Sequence, residues 1–256
     1  MMTGVISGLI SAFLQSGSYV FSRWYINRYR NPFELLIFSQ LAMGVFGILT
    51  LPVVLQFTHF PMTPLFWGME VLCVLAFMAG QFGFFQSLKL LEASRLSSLL
   101  GLKIIVLALI CLAITRTPLH ELQWMAIVLC AVGAVGMNFT GGPITLKACL
   151  WLAFTLVMYA ICDLLEAELI WRMPAGKPIV DSTAVAAVTY VLLGFAALPF
   201  LIRTGWKYEK CRDALPYAGS WYLAMILIYL CYSTLGPVYG NIIQASRGII
   251  SVLLGL

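Results

Sequence analysis

Four ionisable residues interrupt long apolar stretches of this sequence: Glu70, Lys103, Asp163 and Glu166. A charge at bilayer depth costs a few kcal/mol or more, so it marks a pathway for a substrate or ion, or a paired charge. We estimate the depth of each residue in the membrane from its distance along the predicted span, at about 1.5 Å of rise per helical residue. Glu70 and Asp163 then lie at the same depth, within reach of the Lys103 amine. They therefore form either a substrate or proton site or a static ion pair. Glu166 is predicted to lie too near the outer face to be central.

Polar side chains also recur at helical spacing on single faces of the first and sixth apolar stretches. The first carries Gln15 among four serines, and the sixth carries Tyr159 beside Asp163. Such a face either packs closely against another helix or lines a wet cavity. Gln81 and Tyr229 lie in the middle of other stretches, where each needs a polar partner. The predicted substrate or proton pathway comprises Lys103, Glu70, Asp163, Gln15, Gln81, Tyr159 and Tyr229.

The composition predicts what positions these residues. Hydrophobic residues make up 62% of the 256 positions and charged residues 10%, against about 25% charged in soluble domains. We therefore expect an all-α, multi-pass integral membrane protein, placed in the bacterial plasma (inner) membrane. The net charge of +5 is dispersed over loops, which argues against a nucleic-acid partner. The cysteines show no CxxC spacing, both histidines lie in loops, and HExxH and GxSxG are absent, so we expect no metal, no cofactor and no enzyme.

Eight full membrane spans and a shortened ninth are predicted, since about 20 apolar residues cross a bilayer. The full spans are Val5–Ile26, Phe33–Phe57, Leu65–Leu91, Ala93–Thr115, Glu121–Phe139, Leu146–Trp171, Thr183–Ile202 and Leu215–Tyr239, and the ninth runs from Asn241 to Leu256. Small residues on the fifth span either pack within the monomer or form a homodimer.

A repeated tripeptide suggests that the chain is built twice from one unit. Ala93, Ser94 and Arg95 recur as Ala245, Ser246 and Arg247, 152 positions later, each before an apolar run. With a Gly-Gly-Pro break after the fifth span, this predicts two inverted five-helix repeats, 1–142 and 143–256, the second lacking its last helix. The two copies should begin equivalent helices from opposite faces of the membrane. Lys103 then departs from the repeat, because Gly255 stands at its position in the second copy.

Loop charges predict the orientation. Ten Lys and Arg residues fall in loops after odd-numbered spans and four in loops after even-numbered ones. By the positive-inside rule the odd loops are cytoplasmic and the N-terminus lies outside.

The stretch from Phe85 to Met137 resembles the fourth and fifth helices of the drug/metabolite transporter superfamily, in its EamA-type branch. The similar features are a small-residue helix start, a long apolar run, a short loop, and a Gln-Trp opening to a helix that carries Gly133 and Gly136. The resemblance implies ten helices in two inverted repeats, export or exchange of small metabolites through a central cavity, and cytoplasmic termini. Lys103 departs from it, standing near a position where the family usually has proline, and Arg116 stands near a usual glutamate.

Two functions from different classes fit these observations. The first is a secondary transporter of small metabolites or drugs working by alternating access, with spans one, three, four, six, eight and nine around its cavity. The second is a membrane scaffold or sensor that transports nothing, in which the buried charges only hold helices together. A wet cavity lined by Gln15, Lys103 and Asp163 would favour transport, and a dry core would favour the scaffold.

Overall fold

The computed structural model describes residues 1–91, 93–114, 120–136, 144–247 and 250. Every element in these ranges is a helix, so the all-α, polytopic prediction is confirmed. The elements are α1 (Met2–Tyr29), α2 (Pro32–Val54), α3 (Pro64–Leu88), α4 (Ala93–Leu99), a 3-10 turn (Leu100–Leu102), α5 (Lys103–Ile114), α6 (Glu121–Gly136), α7 (Leu146–Trp171), α8 (Pro178–Thr204), α9 (Tyr208–Leu235) and α10 (Pro237–Gln244).

Six of these helices, α1, α2, α3, α7, α8 and α9, are long and apolar enough to cross a membrane. Their ends follow local signals. The Asn31 side chain accepts a hydrogen bond from the Glu34 backbone N–H and is followed by Pro32, and Thr145 caps α7 through Ala148 in the same way. Such caps satisfy amide groups that the first turn of a helix leaves unpaired.

Two predicted spans differ from the structure at their breaks. The fourth, predicted as one helix over Ala93–Thr115, is divided by the 3-10 turn, and its last residue lies outside the described ranges. The eighth ends at Leu235 instead of Tyr239. Gly236 adopts φ 83°, a left-handed conformation that favours glycine. Pro237 then starts α10, so the ninth span begins four residues before its predicted start.

The second copy of the repeated tripeptide does not begin a helix. Ala93 is the first residue of α4, whereas Ala245 follows the last residue of α10 and Ser246 lies in the turn after it. The prediction that both copies open equivalent helices is therefore wrong. The helix starts show a different offset: Met2 and Leu146, Pro64 and Tyr208, and Ala93 and Pro237 each differ by 144, and Pro32 and Pro178 differ by 146.

The helix packing has the same twofold pattern. The most extensive contacts join α1 to α9, α2 to α8, and α3 to α7. With an offset of 144, the α1–α9 interface is the counterpart of the α3–α7 interface, and α2–α8 is its own counterpart. At the α2–α8 crossing, a Cβ added to Gly44 would lie 3.0 Å from the Gly194 Cα, and one added to Gly194 would lie 3.0 Å from the Gly44 Cα. Glycine is what allows these two backbones to touch.

Ion pairs join α2 to the start of α9 on one face of the bundle. Glu34 is buried and pairs with Lys207 at 3.0 Å and with Lys210. The hydrogen bond from Lys207 to this carboxylate raises the pKa of the Lys207 ammonium. Asp213 pairs with Arg28 at 3.0 Å. The loop after span one and the loop after span seven therefore lie on the same face.

Candidate functional site

A cavity of about 110 Å³ lies at the centre of the helix bundle. Its lining comes from α1, α3, the 3-10 turn, α5, α7, α9 and α10. Arg247, which is helical again after the turn that follows α10, completes the lining. These elements belong to spans one, three, four, six, eight and nine, the six predicted to surround a cavity. The lining residues are Gln15, Tyr19, Phe77, Gln81, Phe84, Leu100, Lys103, Tyr159, Cys162, Asp163, Glu166, Tyr217, Trp221, Met225, Ile228, Tyr232, Asn241, Gln244 and Arg247.

An ion pair between Lys103 and Asp163 lies on the wall of this cavity. The Lys103 Nζ is 2.6 Å from the Asp163 Oδ2, and the two side chains are 16% and 9% exposed. Asn241 donates a second hydrogen bond to the same oxygen at 2.9 Å. The carboxylate is thus held between α5 and α10, the two short helices next to the breaks. A buried charge is tolerated when it is paired and hydrogen-bonded in this way.

Glu166 lies in the cavity wall, one helical turn from Asp163, so the prediction that it lies too far out to be central is wrong. Its Oε1 accepts hydrogen bonds from the Tyr229 hydroxyl and from the Cys162 thiol, the latter at 3.2 Å. Its Oε2 is buried and has no hydrogen-bond partner among the described residues. The core extends past this residue, because Leu169 and Ile170 farther along α7 are also buried.

Two predicted pathway residues do not line the cavity. Glu70 is fully buried and accepts a hydrogen bond from Thr189 at 2.7 Å, so it joins α3 to α8 and does not meet Lys103. Tyr229 is fully buried and reaches the site only through its hydrogen bond to Glu166. The structure brings Gln15, Gln81, Lys103, Tyr159 and Asp163 together around the cavity.

Arg247 approaches the cavity from the other side and contacts α1. Its Nη1 donates to the Gln15 Oε1 at 2.5 Å and to the Tyr19 hydroxyl at 3.5 Å. Of the polar face on the first span, Ser11 packs against α9 instead, donating to the Ala224 carbonyl at 2.7 Å. That face therefore serves both as a helix interface and as a cavity wall.

Aromatic rings line the same cavity as Arg247. The rings of Tyr217 and Trp221 stack with centroids 5.8 Å apart, and Tyr19 meets Trp221 edge-on at 6.3 Å. The cavity therefore offers charged groups and flat apolar surfaces within one small volume.

The lining has an internal regularity. Each of the seven lining residues from the first half has a counterpart exactly one repeat, 144 positions, later that also lines the cavity. The pairs are Gln15 with Tyr159, Tyr19 with Asp163, Phe77 with Trp221, Gln81 with Met225, Phe84 with Ile228, Leu100 with Gln244, and Lys103 with Arg247. Lys103 and Arg247 thus occupy equivalent places, each ten residues after the start of a short helix.

A second, larger pocket of about 540 Å³ lies between α2, α3 and α8 and is lined mainly by apolar side chains. Phe77 and Gln81 line both this pocket and the central cavity. The Gln81 amide therefore lies between a polar chamber and an apolar one.

Three buried residues could hold a metal ion. Ligand atoms of Cys73, Cys162 and Glu166 lie within 4.8 Å of one another, and the two sulfur atoms are 3.5 Å apart. Two thiolates and a carboxylate suit a soft or borderline ion such as Zn²⁺. The two thiols also contact each other between α3 and α7, and the Cys162 thiol donates to Glu166 within α7.

Sequence reasoning named Arg247 only as part of a motif and missed its place in the cavity. The Gly236-Pro237 dipeptide is a turn signal that would have started the ninth span there. Counting from Pro237 puts Arg247 about 15 Å into the span. Tyr19 and Trp221 carried no such signal, because an aromatic residue in a span more often faces lipid or a neighbouring helix.

Comparisons with known proteins agree with this architecture. The model of the EamA-like transporter family matches residues 2–139, more than half of the chain. A protein whose crystal structure has been solved is similar in fold, with a TM-score of 0.72. The match covers 99% of this chain and 87% of that one, and the sequence identity is 16%. At this identity the likeness concerns the fold alone. No curated protein matches the sequence.

Proposed function

The chain belongs to the EamA-like transporter family, and from that premise we propose that it is a secondary transporter carrying small metabolites or drugs through the central cavity by alternating access. Family membership makes it a multi-pass membrane transporter. We further propose that it lies in the bacterial inner membrane, that a gradient drives transport, and that its cargo is small.

The observation that carries the proposal is the ion pair in the cavity wall. A lysine and an aspartate that only joined two helices would be expected in a closed interface. Lys103 and Asp163 instead border a cavity whose lining also includes Gln15, Gln81 and Asn241. Ionisable groups around a cavity at membrane depth are typical of substrate or proton pathways. The scaffold alternative predicts a dry core and is less well supported.

We also propose that residues 1–142 and 143–256 are two inverted repeats with the cavity between them. The support comes from the 144-residue offset, which relates helix starts, interfaces and cavity residues alike. Because the first unit has five spans, an odd number, the second unit starts from the opposite face and crosses the membrane in the opposite direction. Repeats of this kind can exchange conformations, so a cavity that opens to one face can open to the other.

The test is gradient-driven uptake by the protein in proteoliposomes, measured over a panel of small metabolites with and without an imposed proton gradient. We expect uptake of at least one compound, and about tenfold or greater loss in Lys103→Ala, because the substitution removes a cavity charge and leaves Asp163 without its cation. Lys177→Ala is the matched control, since Lys177 is exposed and lies outside the helices.

Thermal unfolding of each variant separates loss of function from loss of fold. If folded protein takes up no compound of the panel, the transporter proposal is rejected in favour of the scaffold. If uptake is measured and Lys103→Ala equals the parent, the role of Lys103 in the pathway is rejected.

A further inference from the structure

Two cations occupy equivalent places in the central cavity. Lys103 follows the start of α4 by ten residues, and Arg247 follows the start of α10 by ten residues. At about 1.5 Å per residue each lies roughly 15 Å along its span, one entering from each face. A helix break precedes each of them, the 3-10 turn in one case and the turn at 245–246 in the other.

The partners of these two cations differ in charge. Lys103 meets Asp163 at 2.6 Å. The counterpart of Asp163 in the first half is Tyr19, and Arg247 contacts its neutral hydroxyl at 3.5 Å. The closer partner of Arg247 is the neutral Gln15 amide, at 2.5 Å. Among the described residues, no carboxylate forms an ion pair with Arg247, so this part of the chain provides one internal counter-ion where symmetry would provide two.

A guanidinium without a counter-ion is costly in a membrane-embedded cavity. A guanidinium forms strong, charge-assisted hydrogen bonds to a carboxylate. The Nη1 of Arg247 donates to Gln15 and Tyr19 and its Nε donates to the Gln244 carbonyl at 3.0 Å, so among the described residues Nη2 is the arm left for an anion. These neutral partners orient the group without neutralising it. The side chain is thus positioned to receive one negative charge from outside the protein.

Other features of the cavity define the rest of the ligand. The stacked rings of Tyr217 and Trp221 and the edge of Tyr19 provide flat apolar walls. The buried Oε2 of Glu166 has no partner among the described residues and can accept one hydrogen bond. The volume of about 110 Å³ is comparable with the roughly 150 Å³ of a cavity that holds benzene.

From these contacts we propose that the cargo is a small organic acid with a single negative charge, bound by Arg247. Its carboxylate takes the place that Asp163 has beside Lys103, where the first half of the chain has the neutral Tyr19. This assignment rests on the proposed transport function and specifies its substrate class. The acid group lies against Arg247, and the flat apolar body lies against the aromatic side chains that line the cavity. A hydroxyl or amine on that body donates to Glu166.

The test compares acids with their uncharged amides. The probes are benzoate, phenylacetate and mandelate against benzamide, phenylacetamide and mandelamide, with binding to the purified chain in nanodiscs measured by calorimetry. We expect at least one acid to bind about tenfold or more tightly than its amide. Arg247→Gln should abolish that preference.

Gln15→Glu tests the same idea without removing the arginine. It places a carboxylate at the present position of the Gln15 Oε1, so Arg247 becomes internally paired as Lys103 is. We expect this variant to lose the preference for acids while its cargo-free form unfolds at a higher temperature than the parent. Gln56→Glu is the matched control, because Gln56 is exposed in the turn after α2.

The proposal is overturned if no acid binds more tightly than its amide, if the preference survives in Arg247→Gln, or if Gln15→Glu lowers the unfolding temperature. The last result would mean that Arg247 already has a counter-ion. Uptake of neutral compounds by proteoliposomes, unaffected by Arg247→Gln, would leave the transport function standing and reject only the organic acid.

Discussion

The charged residues of the cavity have different roles because their partners differ. Lys103 and Asp163 neutralise each other across α5 and α7. Arg247 is held by an amide and a phenol, and Glu166 by a phenol and a thiol. Because Lys103 and Asp163 already neutralise each other, a negatively charged cargo is attracted mainly by Arg247. We therefore assign the recognition of charge to Arg247, and Lys103 and Asp163 remain the paired groups of the proposed pathway through the cavity.

Removing one member of the Lys103–Asp163 pair should destabilise the protein more than removing both. Lys103→Gln leaves a carboxylate held only by the Asn241 amide, and Asp163→Asn leaves a buried ammonium. Each single variant is expected to lose about 3–5 kcal/mol of unfolding free energy, and the double variant less than either. A double-mutant cycle of unfolding in detergent measures this coupling. Additive losses would show that the two charges do not interact in the folded protein.

At the level of helices, the crossing of α2 and α8 depends on two glycines in mutual contact. Gly44→Ala and Gly194→Ala should each destabilise the protein by about 1–3 kcal/mol, because the added Cβ meets backbone that cannot move away. Since each Cβ would lie 3.0 Å from the other glycine's Cα, the two losses should be similar. Thermal unfolding of the purified variants measures them.

Gly17→Ala is the control for this pair. A Cβ at Gly17 meets nothing within 4 Å, so alanine should be neutral or stabilise α1 by up to about 1 kcal/mol through its higher helix propensity. Equal behaviour at Gly17 and Gly44 would contradict the close crossing.

The existence of the helices was predictable, whereas their breaks were not. Apolar length located the spans, and Asn31-Pro32 located the start of α2. The break at Leu100–Leu102 contains Gly101 but has no proline and no polar run, and a single glycine in an apolar stretch is a weak local signal. The Gly236-Pro237 signal was present but lies inside an apolar stretch. Alignment on the Ala-Ser-Arg tripeptide gave an offset of 152, whereas the helix starts give 144.

At the level of the whole molecule, the offset of 144 determines which residues of the two halves are compared. With the offset of 152, Lys103 corresponded to Gly255, which lies outside the described residues. With the offset of 144, it corresponds to Arg247, and Tyr19 corresponds to Asp163. Five polar residues of the cavity were candidates from the sequence alone, namely Gln15, Gln81, Lys103, Tyr159 and Asp163. The missing charge beside Arg247 became visible only when contacts between α1 and the chain after α10 were known, because those residues are 232 and 228 positions apart.

The positions of the cations predict an orientation for the bundle. Arg28, Lys207 and Lys210 gather on the face that holds the α1–α2 and α8–α9 loops, and the positive-inside rule predicts that this face is cytoplasmic. Met62 and Tyr208 are highly exposed and lie next to loops on opposite faces. We expect Met62→Cys to react with a membrane-impermeant maleimide on intact cells, and Tyr208→Cys to react only after permeabilisation, both in a Cys149→Ser background that removes the exposed native thiol. The reverse pattern would put the N-terminus inside, and α10, with Arg247 beyond it, would then enter the membrane from the cytoplasmic face.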